Sequence, residues 1–488
     1  MIAAILLVLS ASPQATLKAV DAQESLNDQL EQHFDAVCGA LKAGRRTLSP
    51  ELAAPGVKFP VEDFVQIPSC SLRALAIGAP VDGELPLRLL WDLDGRDASG
   101  RRLSVRNESD GAVKKVGKKW LLTRLDAINP RRVERTGPRF VERAIEAGLV
   151  FPARTSFAMP AEFLASGLSV RDIDADGLPD VFVIDGPSLY LYRGAPGLRF
   201  SKPALLARAP KDKTLSNAAL GDLDGDGDAD LIVTTYRDEP VRIFRNDAGQ
   251  FVESHRLGRG GHHQTAIPSD LDGDGKLDLA IVAYPLEGRV PSSYLQADNG
   301  EPPELWLGNG DFTFRRLEIP ASVAKRHWSF GGVAADLLGT GRMQLYVVND
   351  YGVKDLYVIE RDGGVSEGAT EAGLIDPGPG MSVDLGDMNR DGRLDVYIAN
   401  MFSKAGTRIM NGVGELDPRT RELMVKFVRG NTLFISQADG GFVDAAESLQ
   451  VHRALWSFAS LLTDIDNDSQ LEVLVANGFV SAPIRKDL

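Results

Sequence analysis

Acidic side chains recur along this chain in one nine-residue pattern, Asp-x-Asp-x-Asp-Gly-x-x-Asp, and each copy is followed by an apolar run. Carboxylates at positions 1, 3 and 5 converge when the chain curls, glycine at position 6 permits the sharp turn, and position 9 closes a cage of oxygen atoms. Hard oxygen donors at this spacing match the coordination that Ca²⁺ requires. Copies of the pattern begin at Asp172, Asp222, Asp270, Asp336, Asp387 and Asp464.

Five of these copies keep oxygen-bearing side chains at the ligand positions, and they predict four to five bound Ca²⁺ ions. The copy at Asp464 is the least regular of the five, because Ser469 replaces the turn glycine and Glu472 replaces the last aspartate. The predicted metal ligands are Asp172, Asp174, Asp176, Asp180, Asp222, Asp224, Asp226, Asp230, Asp270, Asp272, Asp274, Asp278, Asp387, Asn389, Asp391, Asp395, Asp464, Asp466, Asp468 and Glu472.

The copy at Asp336 departs further from the pattern. Leu338 and Thr340 stand at positions 3 and 5 and Gln344 stands at position 9, so we expect this loop to keep the turn and to lack the ion. Asp, Asn and Gly also favour turns without any metal, and a single Asp-Gly-Asp would be interpreted in that way. Five loops with like charges in a fixed register favour a cation, because the carboxylates would otherwise repel one another.

The chain has 488 residues, of which 43% are hydrophobic, and a formal net charge of -14. Because the acidity is concentrated in the repeated pattern, it points to cations and argues against nucleic acid, which requires a basic surface. The apolar run Met1–Ala11 predicts a signal peptide over residues 1–22 and a secreted, periplasmic or cell-surface protein. A membrane anchor is the alternative, but the run is about half of the ~20 residues that a stable membrane span needs.

An apolar, β-branched run follows each copy of the pattern, as in Val181–Ile184 and Leu231–Thr235. A further strand, a Gly/Asn/Asp turn and another strand come next in most repeats, as in Val241–Glu253, so each repeat supplies four short antiparallel strands. Repeats of about 50 residues are typical of propeller blades. The sequence therefore predicts an all-β fold over residues 139–488, a β-propeller of six four-stranded blades, or seven if one irregular blade is hidden.

Closure of this ring can also be predicted. The last repeat ends soon after its second strand, without the hairpin of the other repeats. The segment Arg139–Leu149, which precedes the first repeat, matches the segments Gly363–Leu374 and Gly441–Val451 that end two others. We therefore expect this N-terminal segment to supply a strand to the last blade and to join the two ends of the ring.

Residues 24–130 differ in kind from the repeats. Helical apolar spacing from Glu24 to Gly44 and alternation from Leu85 to Ile128 predict a small α+β domain, which is loosely similar to the NTF2-like cone fold. Cys38 and Cys70, the two cysteines of the chain, lie in this domain. In an exported protein they could form one disulfide, and the alternative is a pair of buried thiols.

Histidines upstream of the expected inner strands allow a different function. If His263, His327 and His452 met at the axis of the ring, they could hold a transition metal or act as acid and base on a polysaccharide or small molecule. The alternative is that they are structural, since they lack the local spacing of a metal motif. We favour the structural interpretation and keep a propeller enzyme with an axial histidine site as the second hypothesis.

The acidic pattern and its trailing strand resemble the FG-GAP/VCBS repeats of integrin-α-like propellers. The phrases Trp328–Gly331 (WSFG) and Gly430–Phe434 (GNTLF) resemble those of bacterial relatives of the cartilage acidic protein family. This resemblance covers roughly Arg139–Leu488. It implies a calcium-stabilised propeller in an exported protein, with a binding or cell-adhesion role toward an extracellular protein or glycan that the sequence does not identify.

Overall fold

The computed structural model describes residues 13–59, 61–127, 131–135, 141–150, 166–285, 289–293, 295, 297–402 and 417–477. These residues form two compact units. The first unit contains the described residues up to Val141 together with those of 417–428. The second unit contains the described residues of 142–402 and 429–477.

The first unit packs a helix on an antiparallel sheet. Helix α1 (Pro13–Lys42) begins upstream of the start expected at Glu24, and its residues Leu30, Phe34 and Val37 are buried at helical spacing. The strands are β1 (Gln66–Ile77), β2 (Glu84–Arg96), β3 (Arg102–Val116), β4 (Lys119–Ala127) and β5 (Arg131–Arg135). They hydrogen-bond in the order β1-β2-β3-β4, and β5 pairs with β3.

A disulfide joins Cys38 of α1 to Cys70 of β1, so the structure decides the alternative that the sequence left open. Residues 1–12 of the expected signal peptide lie outside the described residues, and both that peptide and the NTF2-like likeness stay predictions. Within the part of the chain that the structure describes, no helix is both long enough and apolar enough to cross a membrane.

The second unit consists of antiparallel sheets that follow one another along the chain. The first sheet has the order β11-β8-β7-β6, and the next four sheets have their four strands in chain order. The bounds of the first two sheets are β6 (Ser166–Arg171), β7 (Asp180–Asp185), β8 (Ser188–Tyr192), β11 (Ala204–Arg208), β12 (Thr214–Gly221), β13 (Asp230–Tyr236), β14 (Glu239–Asp247) and β15 (Gln250–Gly261).

The third, fourth and fifth sheets repeat this arrangement. Their strands are β16 (His263–Ser269), β17 (Asp278–Ala283), β18 (Glu304–Gly308), β19 (Phe314–Leu317), β20 (Trp328–Ala335), β21 (Gln344–Tyr351), β22 (Asp355–Ile359), β23 (Val365–Glu367), β24 (Gly380–Gly386), β25 (Asp395–Asn400), β26 (Thr432–Ser436) and β27 (Phe442–Asp444). Helix α3 (Ala369–Ala372) follows β23. Helix α4 (Pro418–Arg429) precedes β26 along the chain, and its residues up to Val428 belong to the first unit. The repeated four-stranded antiparallel sheets that the sequence predicts are therefore present.

The first sheet differs from its expected pattern. The hairpin that follows β8 does not complete this sheet: β9 (Gly194–Ala195) and β10 (Arg199–Phe200) form a separate two-stranded ribbon. The fourth strand is β11, which pairs with β8 further along the chain. Periodicity alone could not separate β10 from β11, because both segments are short.

The last sheet contains β28 (Ser457–Thr463) and β29 (Glu472–Asn477) within the described residues. Residues 141–149 of the expected closing segment hold helix α2 (Ala144–Ala147). Residues 136–140 lie outside the described residues. Closure of the last sheet by this segment therefore stays a prediction.

The first strands of the six sheets lie side by side in chain order, in the succession β6, β12, β16, β20, β24, β28. Polar side chains of a first strand hydrogen-bond to the backbone of the first strand in the next sheet. The Ser169 hydroxyl donates to the Ala218 carbonyl, and the Thr265 hydroxyl donates to the Phe330 carbonyl. Asp384 Oδ2 accepts the Leu462 N–H at 2.6 Å. An inner edge without such partners would leave buried donors and acceptors unpaired.

The hydrophobic core lies between successive sheets. One cluster joins Phe182 and Leu189 of the first sheet to Leu215 and Val233 of the second. Every residue of β13 is buried, because neighbouring sheets cover both faces of this strand. The second strands therefore read as uninterrupted apolar runs rather than as alternating ones.

Candidate metal centres

Each acidic loop connects the first and second strands of one sheet, so the six loops occupy equivalent places. In all six loops the backbone N–H of position 6 donates to a carboxylate oxygen of position 1 at 2.7–3.0 Å. These pairs are Asp172 with Gly177, Asp222 with Gly227, Asp270 with Gly275, Asp336 with Gly341, Asp387 with Gly392, and Asp464 with Ser469. The common bond shows that one local turn is built six times.

The carboxylate at position 9 ties the loop to its own sheet. Asp230 is fully buried; its Oδ2 accepts the Leu223 N–H at 2.8 Å and its Oδ1 accepts the Asn246 N–H at 2.9 Å. Asp180, Asp278 and Asp395 make the same two kinds of bond. Burial raises the pKa of Asp230 and that of Asp278 to about 6, against the opposing effect of these backbone donors.

Three carboxylates converge in each of four loops. Side chains at positions 1, 3 and 9 offer oxygen atoms that all lie within 4.8 Å of one another. The four groups are Asp172, Asp174 and Asp180; Asp222, Asp224 and Asp230; Asp270, Asp272 and Asp278; and Asp464, Asp466 and Glu472. Twelve of the predicted ligands are therefore brought together as carboxylate trios.

Position 5 lies outside these trios. Its carboxylate accepts the N–H of position 7 two residues later, as Asp176 does from Leu178 and Asp274 does from Lys276. The side chains that make this local turn bond are Asp176, Asp226, Asp274, Asp391 and Asp468. The structure thus places five of the predicted ligands in turn bonds beside the converging groups.

The first loop tests whether the group fits a cation. Within the described residues Asp172 Oδ1 and Asp174 Oδ1 are buried and have no hydrogen-bond partner. Unpaired buried carboxylate oxygens are costly, and here they lie beside a third carboxylate. A donor set made only of oxygen atoms suits Ca²⁺ better than a transition metal. The residues therefore fit a bound Ca²⁺ ion.

The loop at Asp387 is arranged differently. Asn389 stands where the third carboxylate would be, and its amide N–H donates to Asp391 Oδ2 at 2.9 Å. Arg393 forms an ion pair with the same carboxylate at 2.5 Å. Asp395 is buried at position 9 as in the other loops. This loop retains the oxygen donors of the predicted site, with two carboxylates and one amide at positions 1, 9 and 3.

The loop at Asp336 satisfies its own polar atoms. The Gln344 side chain accepts the Leu338 N–H at 3.0 Å and donates to the Thr340 hydroxyl at 3.1 Å and to the Arg342 carbonyl at 2.7 Å. A neutral amide thus takes the place of the position 9 carboxylate. Because a donor of Gln344 points into the loop, no cation is needed to hold this turn.

The backbone of the loops has a requirement that sequence reasoning missed. Position 6 has a positive φ, as expected from its glycine, and Ser469 adopts a φ of 66° there. Position 4 is also left-handed: φ is 57° at Ala175 and 62° at Arg390. Glycine at position 4 in three other copies, Gly225, Gly273 and Gly339, was the signal for this conformation.

The three candidate histidines lie in separate surroundings. His327 Nδ1 is 2.9 Å from Asp355 Oδ2, and His452 Nδ1 is 3.3 Å from the Ala446 carbonyl oxygen. His263 is buried, and burial lowers its pKa. Among the described residues, no group of three or more metal-capable side chains includes a histidine. His327 and His452 therefore have local hydrogen-bond partners, whereas His263 Nδ1 is buried without one.

A family model of the FG-GAP-like repeat matches residues 172–233, 222–281 and 336–398, each match beginning at the first aspartate of an acidic loop. The chain contains FG-GAP repeats. Cartilage acidic protein 1 of Homo sapiens is 26% identical to this FG-GAP-repeat chain over 285 residues, and the Mus musculus protein is equally similar. The match covers 51% of this chain and 42% of the human protein, so the chain spans less than half of the relatives that it matches.

Solved structures resemble the FG-GAP-repeat chain more distantly. An Agrocybe aegerita lectin, described as recognising non-reducing terminal N-acetylglucosamine, is 16% identical with a TM-score of 0.37, covering 73% of this chain and 78% of the lectin. The periplasmic gluconolactonase of Pseudomonas aeruginosa is 12% identical with a TM-score of 0.30, covering 59% and 82%. Because both TM-scores lie below 0.5, neither structure defines the fold or the ligand of this chain.

Proposed function

We propose that this FG-GAP-repeat protein is an exported, calcium-binding β-propeller that serves as a binding or adhesion module for an extracellular protein or glycan. The observation that supports calcium binding best is the convergence of three carboxylates in four loops. In the first loop Asp172 Oδ1 and Asp174 Oδ1 are buried without a hydrogen-bond partner, whereas Asp174 Oδ2 pairs with Arg193. The Cys38–Cys70 disulfide supports an oxidising, extracytoplasmic compartment.

The ions brace the sheets rather than contact the ligand. In each trio the position 9 carboxylate also accepts a backbone N–H from its own loop. In the first three trios it accepts a second N–H from the end of the third strand or just beyond it, as Asp278 does from Gly308. An ion bound there holds the loop and three strands of one sheet in register. Ligand specificity then comes from other surfaces of the propeller.

Six blades and closure by the N-terminal segment are part of this proposal. Helices α2 and α3 have matching caps: the residue before each has a φ of -130° or -127°, and the glycine after each is left-handed. Each of these glycines lies against a backbone carbonyl of the following sheet or ribbon, Gly148 at Phe200 and Gly373 at Phe442. Since α3 follows the outer strand of the fourth sheet, α2 takes the place that follows the outer strand of a sheet before the first.

The alternative enzyme requires its histidines to share one substrate. His327 is held by Asp355 and Asn349 of its own sheet, and His452 is held by the turn after β27. These separate contacts support the structural interpretation of both rings. Loss of turnover in a His327→Ala variant that still binds calcium would favour the enzyme instead.

Calcium counting tests the proposal directly. We expect the chelator-stripped full chain to bind four to five ions in equilibrium dialysis, and we expect chelation to lower the melting temperature. A count below two ions per chain, or a melt that chelator does not change, would contradict the proposal. A glycan and protein binding screen, run with calcium and with chelator, then identifies the ligand class and shows whether the braced fold is needed.

A further inference from the structure

The acidic loops of the first two sheets are connected by the hairpin of β14 and β15. Asn246, near the end of β14, is fully buried. Its side-chain amide donates to the Ile173 carbonyl at 3.1 Å, which belongs to the loop of the first sheet. Its backbone N–H donates to Asp230 Oδ1 at 2.9 Å, which belongs to the loop of the second sheet. One residue therefore contacts both loops.

The same connection continues to a ligand of the first loop. The Ile173 N–H donates to Asp180 Oδ2 at 3.2 Å, while the Ile173 carbonyl accepts from Asn246. Asp180 and Asp230, the position 9 carboxylates of two candidate sites, are thus linked through the backbone of Ile173 and one buried asparagine. Asn246 Oδ1 also accepts the Gly249 N–H at 2.8 Å, which fixes the orientation of its amide.

Arg193 makes a second connection between the two sheets. Its guanidinium donates to Asp174 Oδ2 at 2.6 Å, a ligand position of the first loop, and to the Gly249 carbonyl at the tip of the second sheet's hairpin. The hairpin approaches so closely that a Cβ on Gly249 would lie 2.5 Å from Arg193 Nη1. Arg193 thus joins a loop of its own sheet to the hairpin of the next sheet. Arg245, the equivalent arginine of the second sheet, pairs with Asp224 and Asp226, which both belong to its own loop.

Among the described residues, those equivalent to Asn246 in three other sheets have no side chain that hydrogen-bonds to the loop of the preceding sheet. Gly194, Gly308 and Ser436 donate the same backbone N–H to their own position 9 carboxylate. The two glycines have no side chain, and the Ser436 hydroxyl donates back to Asp395 of its own loop at 3.2 Å. The hydrogen-bonded connection through position 246 is therefore specific to the first two loops among these four positions.

We infer that the calcium sites of the Asp172 and Asp222 loops are energetically coupled and fill as a pair, with Asn246 and Arg193 as positioning residues. An ion that orders the first loop orients the Ile173 carbonyl, which holds Asn246 and hence Asp230. The second ion then enters a site that is already ordered. The site of the Asp270 loop fills independently, since Gly308 supplies no such connection. This inference rests on the proposed calcium binding.

Hydrogen exchange of loop peptides in the full chain, followed at increasing calcium concentration, gives a separate binding midpoint for each loop. Asp174→Asn disables the first site, and Asp272→Asn disables the third site at the same position. We expect Asp174→Asn to raise the calcium midpoint of the 222–230 peptide at least fivefold, the lower end of typical coupling. We expect Asp272→Asn to leave that midpoint within about twofold.

Two further variants test the positioning residues. In an Asn246→Ala background, Asp174→Asn should no longer shift the midpoint of the 222–230 peptide. Arg193→Gln should reduce the shift, whereas the matched Arg245→Gln should change the affinity of the second site and leave the shift intact. If Asn246→Ala also unfolds the third loop, Arg193→Gln decides the role of the connection.

The outcomes distinguish a failure of the coupling between the two sites from a failure of the proposed calcium binding. Calcium protection of the 222–230 peptide that is indifferent to Asp174→Asn overturns the coupling and leaves calcium binding intact. A shift of equal size from Asp272→Asn also overturns it, because the effect would then be general. If calcium protects none of the loops, the proposed function itself is wrong.

Discussion

The ring centroids of Phe330 and Phe458 lie 5.7 Å apart, and the angle between the two ring planes is 88°. Phe330 belongs to β20 and Phe458 to β28, and β24 lies between these two strands in the succession of first strands. Side chains of next-but-one strands can meet only if the row of strands curves back on itself. This contact therefore shows that the inner strands of the last three sheets converge, as a propeller-like arrangement requires.

Removing either ring should loosen the centre of the second unit. We expect Phe330→Ala and Phe458→Ala each to lower the free energy of unfolding by about 2 kcal/mol, since both side chains are half-buried. A double-mutant cycle by urea unfolding should give a coupling of about 1 kcal/mol for the edge-to-face pair. Strictly additive losses would mean that the two rings do not stabilise each other.

The two kinds of acidic loop should respond differently to loss of an aspartate. We expect Asp272→Ala to lower the number of bound calcium ions by one and to reduce the calcium-dependent rise in melting temperature, because Asp272 belongs to a carboxylate trio. Asp336→Asn, which keeps an oxygen acceptor for the Gly341 N–H, should change neither quantity. Titration calorimetry and thermal melts measure both, and an ion lost in the Asp336 variant would contradict the interpretation of that loop.

Ser469 should be a strained residue. It adopts a φ of 66° at a position where five other loops have glycine. We expect Ser469→Gly to stabilise the protein by about 0.5–1 kcal/mol net of the greater entropy of the unfolded glycine. The matched control is Gly392→Ser, where space is open around the Cβ and the φ is 85°, so only conformation opposes the change. Thermal melts at saturating calcium should move in opposite directions for the two variants.

Asp350 should make stability depend on pH outside the acidic loops. Burial raises its pKa to about 6, although the Tyr284 hydroxyl and the Lys354 ammonium oppose the rise. Because the unfolded carboxyl ionises near its ordinary pKa of 3.8, the stabilising contribution of protonated Asp350 is complete below that pH and is lost as pH rises toward 6. The Asp350→Asn side chain does not ionise, so the variant does not lose this contribution. The free energy of unfolding of Asp350→Asn, relative to that of the wild type, should therefore increase from pH 4 to pH 7, as measured by urea unfolding at fixed calcium. A difference that stays constant with pH would contradict this assignment.

The Cys38–Cys70 disulfide should stabilise the first unit. It closes a loop of 32 residues in sequence separation, and removal of such a crosslink typically costs about 3 kcal/mol. We expect a Cys38→Ser, Cys70→Ser double variant to unfold at lower denaturant concentration than the oxidised wild type. Reductant should bring the wild type to the level of the variant and leave the variant unchanged. An effect of reductant on the variant would point to a different cause.

The acidic loops were predictable because their geometry is local. The spacing of carboxylates and glycine in Asp222–Asp230 specifies a turn whose bonds span at most seven residues, and the apolar run that follows becomes β13. The same reasoning located the degenerate loop at Asp336, because missing ligand side chains are visible in the sequence. It did not show that position 5 bonds to its own backbone, since two competing local hydrogen bonds look alike in sequence.

The sequence by itself determined the repeat, its period, the candidate ligands and the mostly β character of the chain, because each depends on residues close together along the backbone. The tertiary structure alone decided that Cys38 meets Cys70, that Phe330 meets Phe458 and that Asn246 reaches the preceding loop. These contacts join residues from different sheets or elements. Their formation depends on how whole sheets pack, and no spacing within one segment specifies that packing.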